Sequence, residues 1–135
     1  MENPSVGKTA LGLDANVGAG ICYVANLVCY LGLVYSIIVL VTDKVNRLAR
    51  FHAMQSITLC VALLVITIPG YFIAIALAFM GSTITSILGT LLWLIIALVG
   101  IGAFVFMVIS AIKAFQGEIY KIPFIGDLAD KWANG

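Results

Sequence analysis

Two long stretches of the chain contain no Asp, Glu, Lys or Arg. They cover residues 15–42 and 51–112, which is 28 and 62 residues. A helix that spans the hydrocarbon core of a bilayer needs about 20 consecutive apolar residues. The first stretch has room for one such helix, and the second for two helices with a short turn between them. The sequence therefore predicts an all-α integral membrane bundle of three transmembrane helices.

The composition excludes a water-soluble domain. Of the 135 residues, 63% are apolar and 10% are charged, whereas a typical soluble domain has roughly 45–50% apolar and about 25% charged residues. A soluble chain this short could not bury so much apolar surface, because small domains bury the smallest share of their surface. The net charge of +1 gives no basic surface for nucleic acid, so no nucleic-acid partner is expected.

The pattern of polar and apolar residues indicates a single membrane domain over residues 1–135. The C-terminal segment alternates charge with apolar bulk. It is too charged to span a membrane, and an interfacial position suits such a pattern. The predicted segments are a polar N-terminal tether at 1–16, transmembrane helices at 17–41, 51–80 and 86–115, and an interfacial tail at 116–135.

The basic residues predict the orientation. Six of the seven lie in the first loop or at and beyond the end of the third predicted helix, and only Lys8 precedes the first one. Cytoplasmic loops carry an excess of Lys and Arg. With three spans, the first loop and the C-terminus are expected in the cytoplasm and the N-terminus outside.

Small residues recur at four-residue spacing on both sides of the predicted turn at 81–85. Such spacing lets helix backbones approach closely. Two interpretations are open: the second and third helices pack on each other, which the short turn favours, or the stripe is an oligomer interface. The residues of this predicted packing stripe are Gly70, Ala74, Ala78, Ser82, Ser86 and Thr90.

Asn26 is predicted to lie well inside the first helix. A buried amide in hydrocarbon needs a hydrogen-bond partner, so its helix face should meet another helix rather than lipid. The favoured interpretation is an interhelix hydrogen bond, and a substrate path is the alternative.

The densest polar cluster comprises Arg47, Arg50, His52 and Gln55, where the second predicted helix enters the membrane. We expect these side chains to bind headgroups of anionic lipid or to anchor the interface. For His52, metal or haem ligation is less favoured, because it is the sole histidine and no Cys or carboxylate has ligand spacing around it. A catalytic base would need a nucleophile partner that the sequence does not show, and a pH sensor is a further alternative. No catalytic residue, cofactor or metal site is predicted.

Three sequence motifs resemble one family. They are KTALGLDANVGAGICYV at 8–24, NRLARFHAMQSI at 46–57 and AIKAFQGEIYKIPFIGD at 111–127. The last two are similar to the signatures of a widespread bacterial membrane-protein family, most of whose members are of unknown function. It is related to the twenty-kilodalton component of the chloroplast inner-envelope import translocon and to magnetosome-membrane proteins.

This resemblance implies a small membrane fold of three or four helices in the bacterial cytoplasmic (inner) membrane. It transfers no catalytic role to the chain. The residues that fit the family signatures are Arg50, Phe51, His52, Ala53, Gln55, Gly117, Tyr120 and Pro123.

Two functions remain open at this stage. The first is a non-enzymatic structural or accessory subunit of a larger membrane assembly. The second is a component of a protein-translocation or transport complex, which would need an oligomer because three helices cannot enclose a pore. The expected partners are anionic membrane lipids and other membrane-protein subunits or further copies of the chain. A polar cavity lined by Asn26 and His52 would favour transport, and a dry interface along the small residues would favour the accessory role.

Overall fold

A computed structural model describes residues 7–28 and 30–134. Over these residues the chain is helical apart from turns and an isolated β-bridge between Lys8 and Asp14, so the all-α prediction is confirmed. A short 3-10 helix, Ala25–Leu27, follows the first helix. The α-helices are α1 (Ala15–Val24), α2 (Leu31–Thr42), α3 (Arg47–Phe79), α4 (Thr83–Phe115) and α5 (Ile125–Asn134).

Helices α3 and α4 are long and apolar enough to cross a membrane. Each has 33 residues, which corresponds to about 50 Å at 1.5 Å per residue. Within the part of the chain that the structure describes, these are the two helices that meet both criteria. They correspond to the second and third predicted spans, with slightly different ends.

The prediction of a third spanning helix at 17–41 is wrong. The chain leaves helical geometry after Leu27, and Tyr30 adopts a left-handed backbone with φ of 60° before α2 begins. Helix α2 has 12 residues, about 18 Å, whereas the hydrocarbon core is about 30 Å thick. The first charge-free stretch is thus a hairpin of two short helices.

A close backbone approach explains why the hairpin forms. A Cβ atom added to Gly32 would lie 2.5 Å from the carbonyl oxygen of Cys22 and 2.5 Å from Oδ1 of Asn26. Only a residue without a side chain lets α2 pack this closely on α1. The break is therefore stabilised by contacts between the two helices, which a uniformly apolar run does not reveal.

The chain forms two compact units. The terminal unit comprises Met1–Cys60 and Phe106–Gly135, and the central unit comprises Val61–Val105. The terminal unit has a core of mostly small side chains, which allows several helices to pack closely. Its buried residues include Ala15, Ala19, Cys22, Tyr23, Val39, Leu48, Ala49, Ala53, Ala111 and Ala114.

Within the central unit, α3 and α4 pack through small residues. A Cβ on Gly70 would lie 2.6 Å from Cδ1 of Ile96, and a Cβ on Gly89 would lie 2.7 Å from the carbonyl oxygen of Ala74. Tyr71 on α3 also lies beside the ring of α4's Trp93, with ring centroids 6.3 Å apart. Most other large apolar side chains of this unit are exposed, as expected for helices surrounded by lipid.

The C-terminal tail folds onto the terminal unit. A turn at Gly117, where φ is +78°, leads into an irregular segment and then α5. One side of the tail is buried through Ile122, Ala129 and Ala133, and Phe124 is exposed. An interfacial position for the tail stays a prediction.

Candidate functional site

The loop before α3 is fastened by side-chain hydrogen bonds. Oδ1 of Asp43 accepts from the backbone N–H groups of Val45 and Asn46 at 3.2 and 2.9 Å. Oδ1 of Asn46 then accepts from the N–H of Ala49 at 3.1 Å, which is the usual cap at the start of a helix. This start fixes the register in which His52 enters the protein interior.

His52 is completely buried, and both ring nitrogens are bonded to protein. Its Nε2 lies 2.9 Å from the carbonyl oxygen of Glu118. A carbonyl can only accept, so Nε2 carries the hydrogen and Nδ1 is the acceptor for the Tyr23 hydroxyl at 2.8 Å. The hydrogen bonds thus assign one neutral tautomer to the ring. Protonation of Nδ1 would deprive the Tyr23 hydroxyl hydrogen of its acceptor.

Gln55 joins the same network and is also completely buried. Its Nε2 donates to the hydroxyl oxygen of Tyr23 at 2.9 Å and to the carbonyl oxygen of Tyr120 at 3.0 Å. Its Oε1 accepts from the N–H of Ile122 at 3.1 Å. We call Tyr23, His52 and Gln55, with the tail backbone at Glu118, Tyr120 and Ile122, the buried network. It links α1, α3 and the tail.

One turn further along α3, Ser56 connects the first hairpin to the same helix. Its hydroxyl donates to the carbonyl oxygen of Cys22 at 2.7 Å and accepts from Nδ2 of Asn26 at 2.9 Å. The structure therefore gives Asn26 a hydrogen bond to another helix, although Asn26 lies in the 3-10 turn and not in the middle of a span.

Arg50 binds the carbonyl ends of two helices. Its Nε and Nη2 donate to the carbonyl oxygen of Ala133 in the last turn of α5 at 3.2 and 2.8 Å. Its Nη1 donates to the carbonyl oxygens of Leu40 and Asp43 at the end of α2, at 3.1 and 2.7 Å. Carbonyls in the last turn of a helix lack partners within the helix and carry partial negative charge, so a guanidinium suits them well. We call this arrangement the Arg50 clamp.

Arg47 is the member of the predicted headgroup cluster that remains at the surface. Its side chain is 53% exposed and reaches Asp130 at 4.0 Å. On the same surface Lys121 pairs with Asp127 and Asp130, whose hydrogen bonds raise the pKa of the lysine ammonium. His52, Gln55 and Arg50 bind protein groups instead, so a headgroup contact stays a prediction that Arg47 fits best.

The predicted packing stripe has two environments. Gly70 and Ala74 face α4, as described above. Further along, Ala74, Ala78, Gly89, Thr90 and Trp93 line a shallow groove of about 210 Å³. A second hollow of about 280 Å³ is lined by Thr83, Ser86 and Thr90 among others, and Ser82 is exposed in the turn before α4. The far part of the stripe, from Ala78 to Thr90, is thus largely exposed at the surface of the central unit.

Sequence analysis missed Tyr23, the residue that joins His52 to Gln55. A phenol in a charge-free run needs a hydrogen-bond partner if it is buried, and this requirement could have indicated Tyr23 as a member of a polar network. The other partners are backbone atoms of the tail, which have no signature in a sequence. Among residues 7–28 and 30–134, no three His, Cys, Asp or Glu side chains come together as a metal site would require.

Substitution of two arginines in turn distinguishes the Arg50 clamp from a general attraction between basic side chains and anionic lipid. Arg50→Gln should lower the free energy of unfolding in detergent by about 2 kcal/mol, because it removes charge-assisted hydrogen bonds to three carbonyls. Arg47→Gln removes the same charge but only an exposed ion pair, so its effect should stay below about 0.5 kcal/mol. Thermal unfolding measures both. Equal losses in the two variants would contradict the clamp.

Comparison with known proteins places the chain in a family. The model of the magnetosome magnetite crystal formation protein family matches residues 14–129. The chain belongs to this family. The matched range of this magnetosome-family protein runs from the start of α1 into α5 and contains the whole buried network.

Named relatives of this magnetosome-family protein are archaeal membrane proteins. A UPF0132 membrane protein of Methanocaldococcus jannaschii is 31% identical over 129 residues, which covers 96% of this chain and 97% of the relative. A UPF0132 membrane protein of Archaeoglobus fulgidus is 33% identical over 124 residues, covering 91% and 99%. A second M. jannaschii protein is 32% identical over 123 residues, covering 91% and 73%. No solved structure matches the chain.

These similarities and the two long apolar helices make the chain a membrane protein of an uncharacterised family. The named relatives are archaeal, so they do not bear on the bacterial source that the sequence motifs suggested. Their names describe a membrane location and no activity.

Proposed function

We propose that the chain is a non-enzymatic membrane protein that acts as a structural or accessory subunit of a larger membrane assembly. The observation that supports this proposal is the buried network. A general acid or base must present a nitrogen within hydrogen-bond reach of its substrate. Both nitrogens of His52 are bonded to protein, at 2.8 and 2.9 Å. The family signature thus serves to hold the tail and the first hairpin on α3.

The central unit offers a surface for a partner within the membrane. Small residues let helices approach closely in lipid, where close packing replaces the hydrophobic effect as the driving force. Ala78 and Thr90 are exposed small residues that line the groove, and they provide such a surface. Its occupant in this proposal is a helix of another membrane subunit or of a second copy.

The proposal includes a location in the cytoplasmic membrane with the C-terminus in the cytoplasm. Its support is the distribution of basic residues, since Lys and Arg accumulate on the cytoplasmic side. Arg47 is exposed on that side, where a basic residue near anionic headgroups gains about 1 kcal/mol of attraction.

A pair of alanine substitutions tests the accessory role. Ala78 and Ala76 are both exposed on α3, but only Ala78 lines the groove. Ala78→Phe should fill the groove and abolish association with the partner, whereas Ala76→Phe should leave it intact. The measurement is the mass of the purified complex in mild detergent, together with identification of what co-purifies.

The outcomes separate the alternatives. Loss of the higher-mass species in Ala78→Phe alone supports the groove as the contact. A monomer without partners in the parent protein would contradict the accessory role. Turnover of a substrate that His52→Gln abolishes, in a variant that stays folded, would contradict the non-enzymatic assignment.

A further inference from the structure

The two ends of the first charge-free stretch lie next to each other. The N–H of Ala10, which precedes α1, donates to Oδ2 of Asp43, which follows α2, at 3.0 Å. At the start of α1, Nδ2 of Asn16 donates to the carbonyl oxygen of Phe115 at the end of α4, at 2.9 Å. The chain therefore enters and leaves the α1–α2 hairpin at the same place.

The outer face of α2 consists of aliphatic side chains up to Val41, and the hydroxyl side chain in the middle of the helix, Ser36, is buried. Gly32, Ser36 and Val39 are buried, with Ser36 completely inaccessible. This is the reverse of a helix at a water-exposed protein surface, and a continuous apolar face of this kind marks an interaction surface. The outward residues, 42–65% exposed, are Leu31, Val34, Ile37, Ile38 and Val41.

The hairpin has the length of one leaflet. Helix α1 has 10 residues and α2 has 12, so they measure about 15 and 18 Å. Half of a hydrocarbon core of about 30 Å is about 15 Å. The tip carries Leu27 and Val28, both exposed and apolar.

Two backbone N–H groups in the described part of the tip, those of Val28 and Leu31, are bonded in a way that suits an apolar surrounding. An unpaired N–H costs several kcal/mol in hydrocarbon, so irregular backbone at membrane depth must be bonded internally. The N–H of Val28 donates to the carbonyl of Ala25 at 3.1 Å, and that of Leu31 to the carbonyl of Val28 at 2.9 Å. These are hydrogen bonds made within the turn itself.

We propose that residues 15–42 form a re-entrant helical hairpin that inserts into one leaflet, with acyl chains as its partner. The hairpin has no charged residue, while Asp14, Asp43 and Lys44 stand at its two ends. The hairpin belongs to the terminal unit, which also contains the first part of α3 and the last part of α4. The inference goes beyond the proposed function and does not depend on it.

The hairpin changes the expected topology. With two spans, the N-terminus lies on the same side as the first loop and the C-terminus. Lys8 then joins the other six basic residues, so all seven lie on one side, which satisfies the charge rule for cytoplasmic segments fully. The outside N-terminus of the three-span prediction is replaced.

Cysteine labelling tests the topology. Ala10→Cys and Val45→Cys place thiols before α1 and after α2 at exposed positions. Both should react with an impermeant thiol reagent in inverted vesicles and resist it in intact cells, with the parent protein's native cysteines as the baseline. Reaction of the two variants on opposite sides of the membrane would establish three spans and overturn the proposal.

A spin-label comparison tests the lipid contact. Val28 at the tip and Val45 in the loop are 59% and 91% exposed, so Val28→Cys and Val45→Cys form a matched pair. In phospholipid vesicles the Val28 label should collide strongly with oxygen and weakly with a polar nickel complex, whereas the Val45 label should collide strongly with nickel.

Two other results of the spin-label experiment would overturn the proposal. Strong nickel collisions at Val28 would place the tip in water and overturn the proposal. Weak collisions with both reagents would place it against protein, such as a second copy, and would also overturn it. Val34→Cys, on the outer face of α2, provides an independent site if the label at the tip prevents folding, and its expected result is that of Val28.

Discussion

Gln55→Leu should lower the free energy of unfolding by about 4 kcal/mol, because it removes every hydrogen bond of a buried amide. Leu has a similar volume, so the loss comes from hydrogen bonds and not from a cavity. The substitution leaves the buried N–H of Ile122 without a partner, which costs about 1–3 kcal/mol. It also removes the donor to the carbonyl of Tyr120, which is half-buried. It also removes the donor that the Tyr23 hydroxyl accepts from. Denaturant unfolding in detergent micelles measures the change, and the amide of Ile122 should lose its protection from hydrogen exchange.

A second glutamine provides the control. Gln116 is exposed at the end of α4, so Gln116→Leu should change stability by less than about 0.5 kcal/mol. A Gln55→Leu protein as stable as Gln116→Leu, with Ile122 still protected, would show that the buried network does not fasten the tail.

Gly32→Ala should destabilise the protein by about 3 kcal/mol, at the upper end of the cost of overpacking. The added methyl group would stand 2.5 Å from the backbone oxygen of Cys22, and backbone cannot rotate away as a flexible side chain can. Overpacking of this kind costs about 1–3 kcal/mol, and separation of α1 from α2 would also strain the Asn26–Ser56 hydrogen bond. Thermal unfolding in detergent is the measurement.

Gly100→Ala serves as the matched control for Gly32→Ala. Beyond the backbone of its own helix turn and its two chain neighbours, no atom lies within 4 Å of the Cβ position at Gly100, and alanine is favoured over glycine within a helix by about 1 kcal/mol. The control should therefore be neutral or more stable than the parent. Equal stability of the Gly32 and Gly100 variants would mean that the two hairpin helices do not pack closely.

The two long helices were predictable because their signal is length and apolarity. The charge-free run at 51–112 is too long for one span, and the turn falls close to its predicted position. The wrong prediction, a single spanning helix, concerned the charge-free run at 15–42. A length of 28 residues fits one span equally well, and the hairpin depends on Gly32 packing against the backbone of Cys22. That contact is tertiary, so apolarity alone cannot distinguish a straight helix from a folded one.

The residues of the polar cluster stand out in the sequence, but their hydrogen-bond partners were not predictable from it. His52, Gln55 and Arg50 were predicted to bind lipid headgroups, because the neighbouring sequence contains no complementary side chain. Their partners are Tyr23 and main-chain atoms. For Asn26 the requirement for a partner could be derived from burial of an amide, whereas the identity of Ser56 depended on the fold.

The hydrogen bonds that α3 makes to the tail all go to main-chain atoms. His52, Gln55 and Arg50 bind the carbonyls of Glu118, Tyr120 and Ala133 and the N–H of Ile122, which any residue other than proline can supply. The side chains that make these hydrogen bonds therefore all belong to α3, and many side chains of the tail could be substituted without losing them. Homologous chains could thus carry tails of different charge and bulk on the same attachment, and a tail transplanted from a relative would dock if it kept its length and its small buried residues.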